Sequence, residues 1–209
     1  MCFNIRTEKV ANWRDYLRLH CYPIDNFIDE WPTNPASFRA HLAEYCQSTR
    51  NLALQLIVAI SESLGLHKDY MNTQLGKHAQ HMVLNYYPPC PQPDLTYALL
   101  GNTDPNFISI LLQDEVPGLQ VLKDGKWVAV YQVMSNDKYK SILHRAVVNC
   151  DKERISIPTF YCPSPEAVSG PTSEVVSDDE PAVYRQFTYG EYYEKFNGIE
   201  KCLDMFKTS

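Results

Sequence analysis

Four side chains in the second half of the chain have types and spacing suited to chemistry: Asp104, His144, Arg154 and Ser156. A carboxylate and imidazoles are the donors of the two-His, one-carboxylate metal centres, which hold a divalent ion on one face and leave the opposite positions open. Such a centre needs a His two residues before the carboxylate and a second His on a distant strand. Asp104 and His144 occupy the second and third of these places. Asn102 occupies the first, with a neutral amide oxygen where an imidazole is expected. Arg154 follows His144 by ten residues. On a strand, Arg154 and Ser156 face the same side. A guanidinium there can grip a carboxylate through two parallel hydrogen bonds, and a hydroxyl can add another donor. Each feature alone is weak: an Asp before Pro ordinarily makes a turn, and a lone His beside Arg is ordinarily solvated. Their spacing joins them into a metal pair next to a carboxylate grip.

These residues need rigid elements to hold them, and the chain divides into three zones. Residues 1–80 read as mostly helical. Asn34-Pro35 suits a helix start, with Asn as cap and Pro at the first helical position. Phe38, Leu42, Tyr45, Leu52, Leu56, Ile60 and Leu64 then recur at helical spacing, with Thr49 the polar member of the stripe, up to Gly65. The predicted helix has roughly 30 residues and a length of about 45 Å. Its stripe requires a packing partner.

Residues 81–162 read as β structure and carry all four reactive positions. Strands are expected over 81–87, 107–112, 119–123, 126–130 and 154–160. Asp124-Gly125 suits a two-residue hairpin turn. Pro158 predicts an edge position or a bulge for the last strand. Short strands with frequent turn signals imply an α+β molecule built on a sandwich or barrel, a group that includes the jelly roll. Residues 163–209 open with a polar loop, expected to be mobile and on the surface. A helix follows, with Thr188-Tyr189-Gly190-Glu191 in capping-box form.

Bulk properties narrow the function classes. The 209 residues are 44% hydrophobic and 21% charged, with a formal net charge of −6 and no Lys/Arg run, so nucleic acid is not an expected partner. Seven scattered cysteines without a CxxC pair argue against a zinc ribbon or disulfide framework and for a reducing compartment, by default the cytoplasm. No stretch resembles a signal peptide or membrane span. The remaining histidines, His20, His41, His67, His78 and His81, have no ligand partner nearby in sequence and are expected at the surface or at strand ends. Cys90, in a Pro-rich turn, is expected to be structural, and Trp127 and Tyr97 are expected to pack in the core.

Several motifs share one resemblance. Asn85-Tyr86-Tyr87-Pro88-Pro89-Cys90-Pro91-Gln92-Pro93, Leu111-Leu112-Gln113-Asp114, Gly118-Leu119-Gln120-Val121, Asp124-Gly125-Lys126-Trp127 and His144-Arg145-Ala146-Val147 resemble plant Fe(II)/2-oxoglutarate-dependent dioxygenases. The segment from Asn12 to Pro23 narrows the resemblance to the downy-mildew-resistance oxygenases, which hydroxylate salicylate, and their flavonoid-oxidising relatives. The resemblance implies a double-stranded β-helix (a cupin-like jelly roll) behind a long N-terminal packing helix. It implies Fe(II) on Asp104 and His144, and 2-oxoglutarate held by Arg154 and Ser156 with help from Tyr87 and Asn85. Ascorbate is a further cofactor of such enzymes. The implied reaction couples oxidative decarboxylation of 2-oxoglutarate to hydroxylation or desaturation of a small aromatic, phenolic or flavonoid-like substrate, by a monomer.

The chain departs from that pattern in three places. Asn102 replaces the first metal His, which makes a catalytically impaired relative the alternative reading. Trp127 and His144 are separated by too few residues for a strand that relatives carry there, so the jelly roll is expected to be incomplete. The N-terminal region of relatives is also expected to be absent.

Overall fold

A computed structural model describes residues 12–121, 143–172, 176–179, 181–196, 203 and 205–208. In chain order the elements begin with β1 (Asp15–Tyr22), α1 (Ile24–Phe27), α2 (Phe38–Ser63), α3 (Tyr70–Leu75) and β2 (Ala79–Tyr87). There follow β3 (Leu99–Asn102), β4 (Ile108–Gln113), β5 (Leu119–Val121), β6 (His144–Ala146) and β7 (Arg154–Cys162). The chain closes with β8 (Val168–Ser169), β9 (Phe187–Thr188) and α4 (Tyr189–Lys195). Two antiparallel sheets, ordered β1-β2-β7-β4 and β3-β6-β5, carry the site, and β8 pairs with β9.

The period-2 alternation of the larger sheet separates core from site. Leu19 and Cys21 of β1 and Met82 of β2 pack against Leu42 and Cys46 of α2. Further along α2, Ala53 and Ile57 meet Met71 and Leu75 of α3, Ile108 of β4 and Tyr161 of β7. The opposite face presents Arg14, Tyr16, His81, Val83, Asn85, Tyr87, Arg154, Ser156 and Pro158 to a cavity.

Several expectations change. β1 lies in a region expected to be mostly helix, although Leu17, Leu19 and Cys21 alternate as a half-buried strand does. Helix α2 is real but shorter, at 26 residues. Ser37 takes the cap position without a side-chain cap bond, and the Asn34–Pro35 peptide is cis, so that pair precedes the helix instead of starting it. The buried stripe runs through Leu42, Cys46, Thr49, Ala53, Ile57 and Ser61. Leu52 and Leu56 are 45% and 40% exposed, because the small Cys46, Ala53 and Ser61 allow the closer approach to the sheet. Gly65, at φ +76°, ends the helix turn as expected.

Pro158 is not on an edge: β7 lies between β2 and β4. Leu111 of β4 pairs with Pro158, while the β2–β7 pairing skips from Met82↔Thr159 to Asn85↔Ser156. That gap accommodates the missing N–H. The segment expected to be a mobile loop contains β8, and its Ala167, Ser169 and Thr172 are buried. Thr188 caps α4 by accepting from the Glu191 amide at 3.1 Å. The Glu191 carboxylate turns to Arg185 and Lys195 instead of closing the box. The expected strand at 126–130, its Asp124-Gly125 turn, Trp127 and the shortened stretch before His144 lie outside the described residues.

Candidate active site

The cavity, of about 780 Å³, lies between the inner faces of the two sheets. β7 brings Arg154 and Ser156, each 3% exposed, to one end. Asn85 and Tyr87 face them from β2, in register with Ser156 and Arg154. Tyr87 Oη and Ser156 Oγ are 3.3 Å apart, and Asn85 Nδ2 donates to Ser156 Oγ at 3.5 Å. The Arg154 guanidinium lies over the Tyr87 ring at 4.9 Å. Arg154 Nε donates to the Val116 carbonyl at 3.2 Å and Nη2 to Gln113 Oε1 at 2.9 Å. Arg154 Nη1 is buried and has no partner among the described residues. A buried guanidinium nitrogen left unmatched is costly, and a ligand carboxylate would satisfy it. The four co-substrate candidates from the sequence therefore come together.

The metal candidates converge from the smaller sheet. β3 and β6 pair with Asn102 opposite His144. Just beyond β3, Asp104 brings Oδ1 to 3.8 Å from His144 Nε2. Ser109 Oγ donates to Asp104 Oδ2 at 2.7 Å, which orients the carboxylate. Asn102 Oδ1 is buried and accepts no hydrogen bond among the described residues. Those residues contain no cluster of three His, Cys, Asp or Glu side chains suited to a metal, and the orphaned amide oxygen of Asn102 is the side-chain donor that pairing places opposite His144. Carboxylate, imidazole and amide oxygen on adjoining strand ends fit a divalent ion through hard, partly neutral donors.

Other side chains of the cavity were not legible as site residues. His81, expected at the surface or a strand end, lines the cavity and is only 9% exposed. Burial, reinforced by Arg18 and His20, pushes its pKa down to about 3, so it is neutral near pH 7. It accepts from Arg18 Nη2 at 3.1 Å through Nε2, and its Nδ1 lies 3.7 Å from Cys162 Sγ. Burial pushes the Cys162 thiol up to about 11, which makes it a poor nucleophile. His78 is likewise buried. Cys90, expected to be structural, is buried, and its amide donates to the Asn149 carbonyl at 2.8 Å. Tyr97, expected in the core, is 37% exposed, with the Arg145 guanidinium 5.4 Å from its ring centroid. Arg14 donates to Asn85 Oδ1 at 2.7 Å, and Tyr193 and Phe196 of the C-terminal zone close one wall. Gln113 and Gly118 fall in two of the motifs that carry the family resemblance, but nothing local ties them or Val116 to Arg154, 36 to 41 positions away in sequence.

Comparison with known proteins decides the family. The model of the 2OG-Fe(II) oxygenase superfamily matches residues 78–163, the stretch holding Asn85, Tyr87, Asn102, Asp104, His144, Arg154 and Ser156. The chain belongs to that superfamily. It is 59% identical to the DMR6-LIKE OXYGENASE 2 protein of Arabidopsis thaliana, over 99% of this chain and 65% of that protein. It is 51% identical to flavanone 3-dioxygenase 2 of Oryza sativa subsp. japonica, over 99% of this chain and 66% of that protein. The crystal structure of JOX2 in complex with 2OG, Fe and JA matches with a TM-score of 0.85 at 31% identity, over 95% of this chain and 65% of JOX2. The oxygenase fold, with helices packed on a double-stranded β-helix, is thus shown. The chain spans slightly less than two thirds of the length of these relatives. The alignment to the Arabidopsis protein covers 227 positions against 209 residues here, so that relative carries extra residues within the aligned span. No helix among the described residues is long and apolar enough to cross a membrane.

Proposed function

We propose that this oxygenase-family chain binds 2-oxoglutarate through Arg154, Ser156, Tyr87 and Asn85. It holds Fe(II) through Asp104, His144 and, weakly, Asn102, and its substrate is a small aromatic, phenolic or flavonoid-like molecule. The observation that carries the reading is the buried Arg154 Nη1, without a partner among the described residues, in the same cavity as the Asp104–His144 pair. Arg154, Ser156 and Tyr87 anchor the distal carboxylate of the co-substrate. Asp104 and His144 line the same cavity and would receive the co-substrate's 2-oxo acid end. When bound, Fe(II) supplies the activation of O2 that side chains cannot supply. The protein's own part is to orient the two organic molecules and exclude water, and the cavity is large enough for both. The names of the relatives at 48–59% identity, among them a flavanone dioxygenase, support the substrate class.

A second reading rests on Asn102. With an amide oxygen in place of an imidazole, the chain holds metal weakly and turns over slowly or not at all while still binding 2-oxoglutarate. Altered residues beyond the direct metal ligands already cost about 10–100-fold in affinity or activity, so a changed ligand costs more. Residues 81–162 are proposed as the oxygenase core, with 1–80 as a helical N-terminal portion and 163–209 as a C-terminal loop and helix. The free thiols Cys21, Cys46, Cys90, Cys150 and Cys162 support a reducing, cytoplasmic setting. Succinate formation from 2-oxoglutarate with added Fe(II) and candidate phenolics separates the two readings. Release that disappears in Asp104→Ala supports the active enzyme; 2-oxoglutarate binding without succinate supports the impaired one.

A further inference from the structure

We infer that Gln113 and Gly118 are positioning residues that set how far Arg154 reaches into the cavity, and so select the chain length of the 2-oxo diacid it receives. The inference rests on the proposed co-substrate site and extends it to residues that do not touch the ligand. The guanidinium has three nitrogens. Val116 takes Nε and Gln113 takes Nη2, so Nη1 is the nitrogen left for a carboxylate. Gln113 thereby decides which edge of the Arg154 fork faces the ligand.

Gly118 fixes the other coordinate. A Cβ built there would lie 2.8 Å from both Cδ and Nε of Arg154 and 3.2 Å from its Cζ. Contacts that short force the side chain to move. Gly118 is buried and does not border the cavity, whereas Arg154 does, so a methyl group presses on Arg154 from behind. The Gly118 backbone cannot retreat easily, because its carbonyl accepts from the Val147 amide at 2.8 Å next to β6. Glycine is required here by close approach rather than by its own dihedrals. How far Arg154 sits back against Gly118 sets the span left between its Nη1 and the Asp104–His144 pair across the cavity.

The test is calorimetric affinity for 2-oxoglutarate, for oxaloacetate (one methylene shorter) and for 2-oxoadipate (one longer), on the full chain. The wild type is expected to favour 2-oxoglutarate over both by about tenfold or more. Gly118→Ala is expected to weaken 2-oxoglutarate by about tenfold and to shift the preference toward oxaloacetate by a similar factor. Gln113→Leu is expected to flatten the preference among the three acids, and Gln113→Glu, which keeps an acceptor oxygen for Nη2, to restore it. Gln113 is exposed, so this pair remains informative if Gly118→Ala fails to fold. An unchanged ratio of the three affinities in folded Gln113→Leu overturns the inference while leaving the co-substrate site intact. Failure of the wild type to bind any of the three acids overturns both.

Discussion

Arg154 brings a full charge into a site where it is 3% exposed and has no carboxylate partner among the described residues. The Val116 carbonyl, the Gln113 amide oxygen and the Tyr87 ring face offset part of the desolvation cost. The remainder is the reason to expect an anionic ligand. Arg154→Met is predicted to weaken 2-oxoglutarate binding by about 30-fold or more, the loss typical of truncating one partner of a buried charge pair. Asn102→His is predicted to tighten Fe(II) binding by more than about tenfold, since it restores an imidazole donor opposite His144. Titration followed by the metal's optical or magnetic signal checks this. Unchanged affinity would place the defect outside the ligand set. Arg154, Ser156, Asp104 and His144 could be picked out as candidates because strand periodicity and donor chemistry act locally in sequence, and the structure brings them to one cavity. The contacts of Gln113 and Gly118 with Arg154, and the burial of His81, were not legible, because they arise across strands.

At the scale of elements, β2, β4, β5 and β7 follow their sequence signals, whereas β1, β3 and β6 were not expected, and errors arise where tertiary packing overrides local preference. Pro158 sits in a central strand because the β2–β7 pairing is interrupted beside it, which a single-strand pattern cannot reveal. The stripe of α2 is displaced by one residue because burial follows small side chains that allow close approach, and not the bulkiest apolar positions. The Thr188 cap of α4 is local and was readable, since Thr188 accepts from the Glu191 amide, whereas the cap expected at Asn34 falls instead at Ser37. Thr188→Ala is predicted to lower stability by about 1 kcal/mol, read as a lower denaturant midpoint with unchanged slope.

For the whole molecule, α2 lies along the outer face of the larger sheet and leaves the inner face to the cavity. Ile57 is fully buried where α2, α3, β4 and β7 meet. Ile57→Ala is predicted to cost about 2–5 kcal/mol, seen as a marked drop in melting temperature. His81 couples the cavity wall to pH. Its pKa lies near 3 in the folded chain against 6.5 for the unperturbed side chain, so the unfolded chain binds the extra proton between those values. Its contribution is complete above pH 6.5 and is lost as pH falls toward 3, with about 2 kcal/mol gone by pH 5. Denaturant titrations at pH 7 and pH 5 check the sign, and His81→Gln is expected to reduce the difference. The proposed function requires the fold to retain a working co-substrate site beside an altered metal site. Calorimetry of 2-oxoglutarate against the wild type and Arg154→Met tests it most directly. Saturable one-to-one binding to the wild type that is lost in Arg154→Met is the predicted result; a folded wild type that releases no heat of binding would contradict it.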